Sequence, residues 1–214
     1  LAVPRHQTRI AAPAWRRDLS LGGVTIHGVE LLRTKRLLLR DWHESDLAAF
    51  FDLYSREDVI RWLGPHPRRP LATREEARDR LRRWRAHDQE LSPPLGLWAI
   101  VPLIPGAEPG QPIGTLLLLP LSDARGPTGL VEVGWHLHPS HQGQGYATEA
   151  ARAILAAGGE AGIDEVLALT DLDNVASQRV TARLGMQDEG VTERWFGLAM
   201  RQYRTVIGPR EGHT

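Results

Sequence analysis

The chain has 214 residues, no cysteine, and 26 basic residues balanced by 26 acidic ones. That length allows one sizeable core. The balanced charge gives no global field for nucleic acid or an anionic membrane, and the lack of cysteine excludes disulfides, thiolate metal sites and a cysteine nucleophile. No apolar run reaches the roughly 18 residues of a membrane-spanning helix. The opening stretch LAVPRHQTRIAAPAWRRDLS lacks a signal peptide's apolar core, so a cytoplasmic location is expected.

Residues 1–30 read as a partly ordered N-terminal extension. Its GVTIHGVELL segment is open to a strand or to a subunit contact, as in a homodimer. RLLLRDW (Arg36 to Trp42) reads as a buried strand, although its leucines alone also allow a helix. ESDLAAFFDLY follows as a helix starting near Glu44 or Ser45. Thr73 to Glu90 is the clearest helix. Thr73 and Glu76 have capping-box spacing, and Glu76 and Arg80 sit at i,i+4. Its arginines are interleaved with acids, which favours a solvated face over a nucleic-acid patch. Three strands are then expected, LWAIVP, PIGTLLLLP and LVEVGWHLHP, joined closely enough for antiparallel hairpins. Gly145 to Gly159 is helical, with Gly158 and Gly159 able to close it. DEVLALTD is a strand, and NVASQRVTARLGM is a helix with Asn174 as cap and Gly185 as stop. GLAMRQYRTVI is a final strand. The pattern predicts an α/β (α+β) fold around one mixed sheet, as a single domain over residues 31–208 with a short tail at 209–214.

The junction HPSHQGQGYATEA joins a strand to a helix. The first amides of a helix lack internal partners and carry the positive end of its dipole. Gly143 and Gly145 let a ligand approach the backbone closely. An anion such as a pyrophosphate fits there. Hydrogen bonds to a charged group contribute roughly 1.5–3 kcal/mol each, against about 0.3–1 for the dipole, so directed amides should dominate. A Rossmann fingerprint fails because Thr148 stands at its third position, and a Walker A loop fails for want of a lysine. Taken alone, the turn is equally open to a flexible junction.

The wider chain is similar to the GNAT N-acetyltransferases, in particular the RimJ/RimL-like branch. Gln142-Gly143-Gln144-Gly145-Tyr146-Ala147 resembles that family's Gln/Arg-x-x-Gly-x-Gly/Ala motif for acyl-CoA. TKRLLLRDWHESDLAAFFDLY, VEVGWHLHPSHQGQGYATEA and DNVASQRVTARLGM resemble its opening strand and helix, its central strand and turn, and its later Asn-x-x-Ser helix, in that order. The resemblance implies a mostly antiparallel sheet flanked by helices, with a splayed central strand pair. It further implies pantetheine pairing with the backbone at Trp135 and Leu137, with His136 between them. The pyrophosphate would lie on the amides of Gln142, Gly143, Gln144, Gly145, Tyr146 and Ala147, with Asn174 and Ser177 near the thioester.

Acyl transfer to an amine needs a base for the ammonium proton, a donor for the carbonyl oxygen and an acid for the thiolate. Glu132 falls where the resemblance puts the base. Its alternation with Val131 and Val133 turns it away from their face, towards a cleft or solvent; the competing reading is an exposed strand glutamate. Ser177 matches the family's acid position, against an ordinary helix serine. Thr181 stands where many members carry a tyrosine acid, a departure from the pattern. His136 and His138 are alternative bases, and no third ligand turns them into a metal site. Trp42, Trp62, Trp84, Trp98 and Trp195 divide between an acceptor pocket and the core.

The expected protein is an N-acetyltransferase that uses acetyl-CoA and no metal. With no cysteine to carry the acyl group, transfer to a primary amine, a small molecule or a protein N-terminus, should be direct. Segments Arg61 to Thr73 and Glu193 to Met200 are expected to shape the acceptor side. A catalytically silent acyl-CoA sensor and a nucleotide-binding protein are the alternatives.

Overall fold

The computed structural model describes residues 30–208, so most of the N-terminal extension and the C-terminal tail lie outside the described residues. The leucine run is a strand: β1 (Glu30–Arg33) and β2 (Leu37–Asp41) form an antiparallel pair. Helices α1 (Leu47–Tyr54), α2 (Glu57–Ile60) and α3 (Arg74–Gln89) follow. The meander β3 (Gly96–Pro102), β4 (Gly114–Asp123) and β5 (Gly126–Leu137) is antiparallel as expected. Then come α4 (Tyr146–Glu160), β6 (Glu165–Asp171) and α5 (Val175–Arg183). β7 (Gln187–Thr192) and β8 (Met200–Val206) close the sheet, whose order is β1-β2-β3-β4-β5-β6-β8-β7.

Each face of the sheet carries its own core. On α4, Ala147, Ala150, Ala151, Ile154, Leu155 and Gly158 are buried, the spacing of a single helix stripe. That stripe joins a cluster with Val133 and Leu137 of β5. The opposite face packs Phe50, Leu53, Tyr54, Ala77 and Leu81 of α1 and α3 against Leu38, Ala99 and Val101. Because side chains alternate along a strand, β5 presents Glu132, Gly134 and His136 on this second side.

The feature that matters for function is the β5–β6 junction. The two strands are parallel and pair only at Val131↔Val166 and Glu132↔Leu167. β5 continues to Leu137 without β6, so the sheet splays from Glu132 onwards. The His138 N–H bonds to the Ile113 carbonyl at 2.9 Å, on the β4 side. Alternate residues in an antiparallel strand point their backbone groups in opposite directions. Val133, Trp135 and Leu137 therefore direct theirs into the gap.

Several local expectations change in detail. The helix starts at Glu44 as expected, in a 3-10 turn Glu44–Asp46 that leads into α1, and the side chain that organises it is Asp46. Asp46 accepts from the His43 N–H at 2.8 Å and from two Arg40 nitrogens at 2.7 and 2.9 Å. Thr73 caps α3 as its spacing predicts, accepting from the Glu76 N–H at 3.2 Å. Glu76, however, bonds the Ala72 N–H and pairs with Arg69 at 3.0 Å, in place of Arg80. The helix α4 does not stop at Gly158-Gly159. It runs to Glu160, and Gly162 makes the turn with φ +84°. The two glycines serve packing: a Cβ on Gly159 would press on the Ile207 carbonyl oxygen, and one on Gly158 would meet Ile207 Cδ1 at 3.0 Å. Gly159→Ala should thus lose stability where an open helix site would gain about 1 kcal/mol. We expect unfolding in urea to show a loss of roughly 1–3 kcal/mol, the usual overpacking cost.

Candidate active site

A cleft of about 660 Å³ opens on the α1–α3 side of the sheet. Its floor holds Glu132 and His136 of β5, with Leu117 and Leu119 of β4. Asn174 and Ser177 of α5 reach it from the far side of the splay. Trp62 and Arg68 from the loop after α2, and Phe196 and Met200 near the start of β8, form its rim. Both segments expected to shape the acceptor side therefore contribute. The tryptophans divide: Trp62 and Trp84 line the cleft, while Trp42, Trp98 and Trp195 are core residues.

Glu132 faces the cleft, as its alternation with the valines predicts. Its Oε2 is shielded and has no hydrogen-bond partner among the described residues. Leu119 stands opposite it in the β4–β5 register, and Leu117 packs over Gly134, where a Cβ would be 3.1 Å from Leu117 Cγ. These apolar neighbours explain why burial pushes the Glu132 carboxyl up to about 7.

His136 behaves differently. Its Nδ1 lies 3.0 Å from the Tyr54 hydroxyl, which is 2.6 Å from Thr115 Oγ1. Burial pushes the imidazole down to about 4. It is neutral near pH 7 and a poor proton acceptor there, which weakens the alternative of a His136 base. His138 belongs to another network, 2.6 Å from Ser140 Oγ, which in turn lies 2.9 Å from His141 Nδ1. Among the described residues, no cluster of His, Asp or Glu side chains could hold a metal ion.

On α5, Asn174 accepts from the Ser177 N–H at 3.1 Å, so its capping role is real. The Ser177 side chain lines the cleft and makes no hydrogen bond to the described residues. Thr181 is fully buried and donates its hydroxyl to the Gln178 carbonyl at 2.8 Å. It does not line the cleft.

The glycine turn lies at the other side of the splay. Gly143 and Gly145 have φ of +75° and +81°, conformations that favour glycine. From Gly143 to Thr148, the backbone amides have no acceptor among the described residues. One correction concerns Gln142, whose own amide bonds the Pro139 carbonyl at 3.2 Å and is not a free donor. Its side chain donates to the Leu137 carbonyl at 3.1 Å, tying the turn to the end of β5. Tight winding of the Pro139–His141 turn consumes that first amide, and the free row starts one residue later.

Sequence reasoning missed the clamp that holds this turn. Arg36, just before β2, donates to Glu149 Oε2 at 2.7 Å and to the Gln144 carbonyl at 3.0 Å. Its guanidinium also lies 4.6 Å from the centre of the Tyr146 ring. Glu149 accepts from the Thr34 hydroxyl at 2.6 Å as well. Burial would raise the Glu149 carboxyl, but the Thr34 and Arg36 bonds outweigh it and hold it below its ordinary value. The partners are over a hundred positions apart, beyond the reach of any local pattern. Arg36→Met should loosen the turn and weaken acetyl-CoA binding by roughly 3- to 10-fold by calorimetry, the scale of one ordinary hydrogen bond.

The acetyltransferase (GNAT) domain family matches residues 36–187. The chain belongs to the GNAT acetyltransferase family. By family it is therefore an N-acetyltransferase. Among its relatives, it is 27% identical to the "Uncharacterized N-acetyltransferase YoaA" of Bacillus subtilis over 187 residues, 85% of this chain and 98% of the relative. Solved GNAT structures share the fold. RimL, a ribosomal L7/L12 alpha-N-protein acetyltransferase in complex with coenzyme A, superposes with a TM-score of 0.66 at 19% identity, covering 84% of this chain and 98% of that one. The microcin C7 self-immunity acetyltransferase MccE, in complex with acetyl-CoA and AMP, gives 0.64 at 14% identity, with 81% and 93% covered. The fold thus agrees with the RimJ/RimL-like resemblance. Among the described residues, no helix is long and apolar enough to cross a membrane.

Proposed function

We propose that the protein transfers the acetyl group of acetyl-CoA directly to a primary amine bound in the cleft. The observation that carries this reading is Glu132: a shielded, unpartnered carboxyl on the cleft floor, at the last paired residue before the sheet opens. The free amides of Gly143 to Thr148 suit the pyrophosphate, and the gap-facing backbone of Trp135 and Leu137 suits the pantetheine arm. The Leu137 carbonyl is already taken by Gln142, which leaves its N–H and both Trp135 groups for that arm.

Glu132 receives the ammonium proton, directly or through water, and frees the nitrogen lone pair. The nitrogen attacks the thioester carbon; the new N–C bond forms, the C–S bond breaks, and the nitrogen sheds its second proton to water. A carboxyl with pKa near 7 is well matched to this task at neutral pH. Ser177 hydrogen-bonds the departing sulfur and relays a proton to it from solvent. Asn174 fixes the end of α5 that presents Ser177. Both the small-amine and protein N-terminal acceptors stay within this chemistry.

The test is a thiol-release assay with acetyl-CoA and a panel of primary amines, with products weighed by mass spectrometry. We expect thiol release that depends on the amine and an acetylated amine in matching amount. Acetyl-CoA binding with no acetylated amine across the panel would favour a silent sensor. Thermal protection by ATP but not by acetyl-CoA would favour a nucleotide site.

A further inference from the structure

The cleft has a charge pattern that base and thioester chemistry leave unused. Four arginines line it, Arg68, Arg69, Arg80 and Arg83, against two carboxyls, Asp171 and Glu132. Arg68 is spent on Asp171 at 2.7 Å, and Arg69 on Glu76 at 3.0 Å. Arg80 and Arg83 have neither an ion pair nor a hydrogen bond to the described residues. They sit at i,i+3 on α3 with Trp84 beside them, so one helix face supplies both cations. The Trp84 ring packs 5.2 Å from Tyr54, whose hydroxyl bonds His136, which joins this face to the floor.

Resting on the acyltransferase reading, we infer that the acceptor amine carries an anionic group, a carboxylate or a phosphate, received in the cleft by Arg80 and Arg83. An anion there would satisfy a half-buried guanidinium, whereas a neutral amine would leave it bare. Burial, together with the nearby Arg83 and Arg69 cations, already holds Arg80 below arginine's ordinary value. Coenzyme phosphates do not fill this place, because none of the residues from Gly143 to Thr148 lines the cleft. The two anion sites are separate: the turn faces the donor and α3 faces the acceptor. The expectation that α3 presents a solvated charged face holds at the exposed Arg83 and changes at the half-buried Arg80.

The experiment compares ethanolamine with O-phosphoethanolamine and β-alanine in two readouts. One is kcat/KM for thiol release from acetyl-CoA; the other is calorimetric binding to the protein saturated with CoA. We expect at least one anionic amine to exceed ethanolamine by about tenfold in both, the scale of one charge-assisted hydrogen bond. Which of the two exceeds it separates phosphate from carboxylate recognition. Arg80→Gln should abolish most of that advantage. Arg82→Gln, with the same charge change on an exposed side chain outside the cleft, should leave it intact. Equal binding of all three amines, or equal losses in R80Q and R82Q, would overturn the inference. Arg80-dependent binding of an anionic amine without thiol release would instead count against the acyltransferase reading, and the anion site would stand.

Discussion

Glu132→Gln should lower kcat/KM for acetyl transfer by roughly 10²–10⁴-fold, the range for loss of a general base. The amide keeps the shape of the side chain but cannot take a proton. The wild-type profile should rise with pH through about 7, where the buried Glu132 carboxyl ionises. The variant, without a base, should instead rise only with the amine's own titration at higher pH, which belongs to the substrate. Loss of the lower limb alone therefore identifies the group.

The same substitution should move stability in the opposite direction. Folding raises the Glu132 pKa above its ordinary value of 4.5, to about 7. A group raised in this way favours the folded state fully below the unfolded value and loses that contribution as pH rises through the folded one. Above pH 7 the wild type holds a shielded carboxylate, whereas glutamine stays neutral. Glu132→Gln should gain up to about 3 kcal/mol over the wild type at pH 9, and the difference should vanish below pH 4.5. Urea titrations at pH 4 and pH 9 would show it. A variant that is less active and more stable at high pH marks a group retained for chemistry and not for packing.

Gly145→Val is the second large effect. Gly145 caps α4 with φ +81°, and a β-branched residue is a genuine outlier there. The obstacle is conformational and not steric, since a Cβ at this position would have Arg36 Nη2, 3.5 Å away, as its nearest neighbour. Relief of the strain would rotate the amides of Gly145 and Tyr146 out of line. With roughly 1.5–3 kcal/mol for each hydrogen bond to a charged group, loss of one should weaken acetyl-CoA by roughly 10- to 100-fold. Binding of the amine to the apo protein should change little, because the turn does not line the cleft. Calorimetry with acetyl-CoA and with amine separates the two. An unchanged acetyl-CoA affinity would remove the turn from the donor site.

Legibility in the sequence followed the range of the interactions. The strands β3 and β4 are legible as continuous apolar runs, buried on both faces, and the helix α4 as a one-sided buried stripe. β7 escaped individual recognition: QDEGVT is an exposed edge strand with no apolar alternation. It is held to β8 by charges, with Arg201 paired to Asp188 at 2.7 Å and Arg204 to Glu189 at 2.6 Å. Gly158-Gly159 looked like a helix end, since glycine ends helices and also admits a close backbone, and only the position of Ile207 distinguishes the two. At the site, alternation was enough to turn Glu132 towards the cleft. The Arg36–Glu149 clamp, the Tyr54–Thr115–His136 chain and the convergence of Arg80 with the cleft floor join segments remote in sequence. They are properties of the folded sheet.

The most direct measurement is a single-turnover experiment with acetyl-labelled acetyl-CoA, quenched in acid, with and without a productive amine. Direct attack in a ternary complex predicts that label reaches the amine at the rate of thiol release and that no acetylated protein accumulates in its absence. In Glu132→Gln, transfer should slow by the factor seen in steady state while acetyl-CoA affinity holds. Label on the protein before amine is added, or full-speed transfer by Glu132→Gln, would contradict the account.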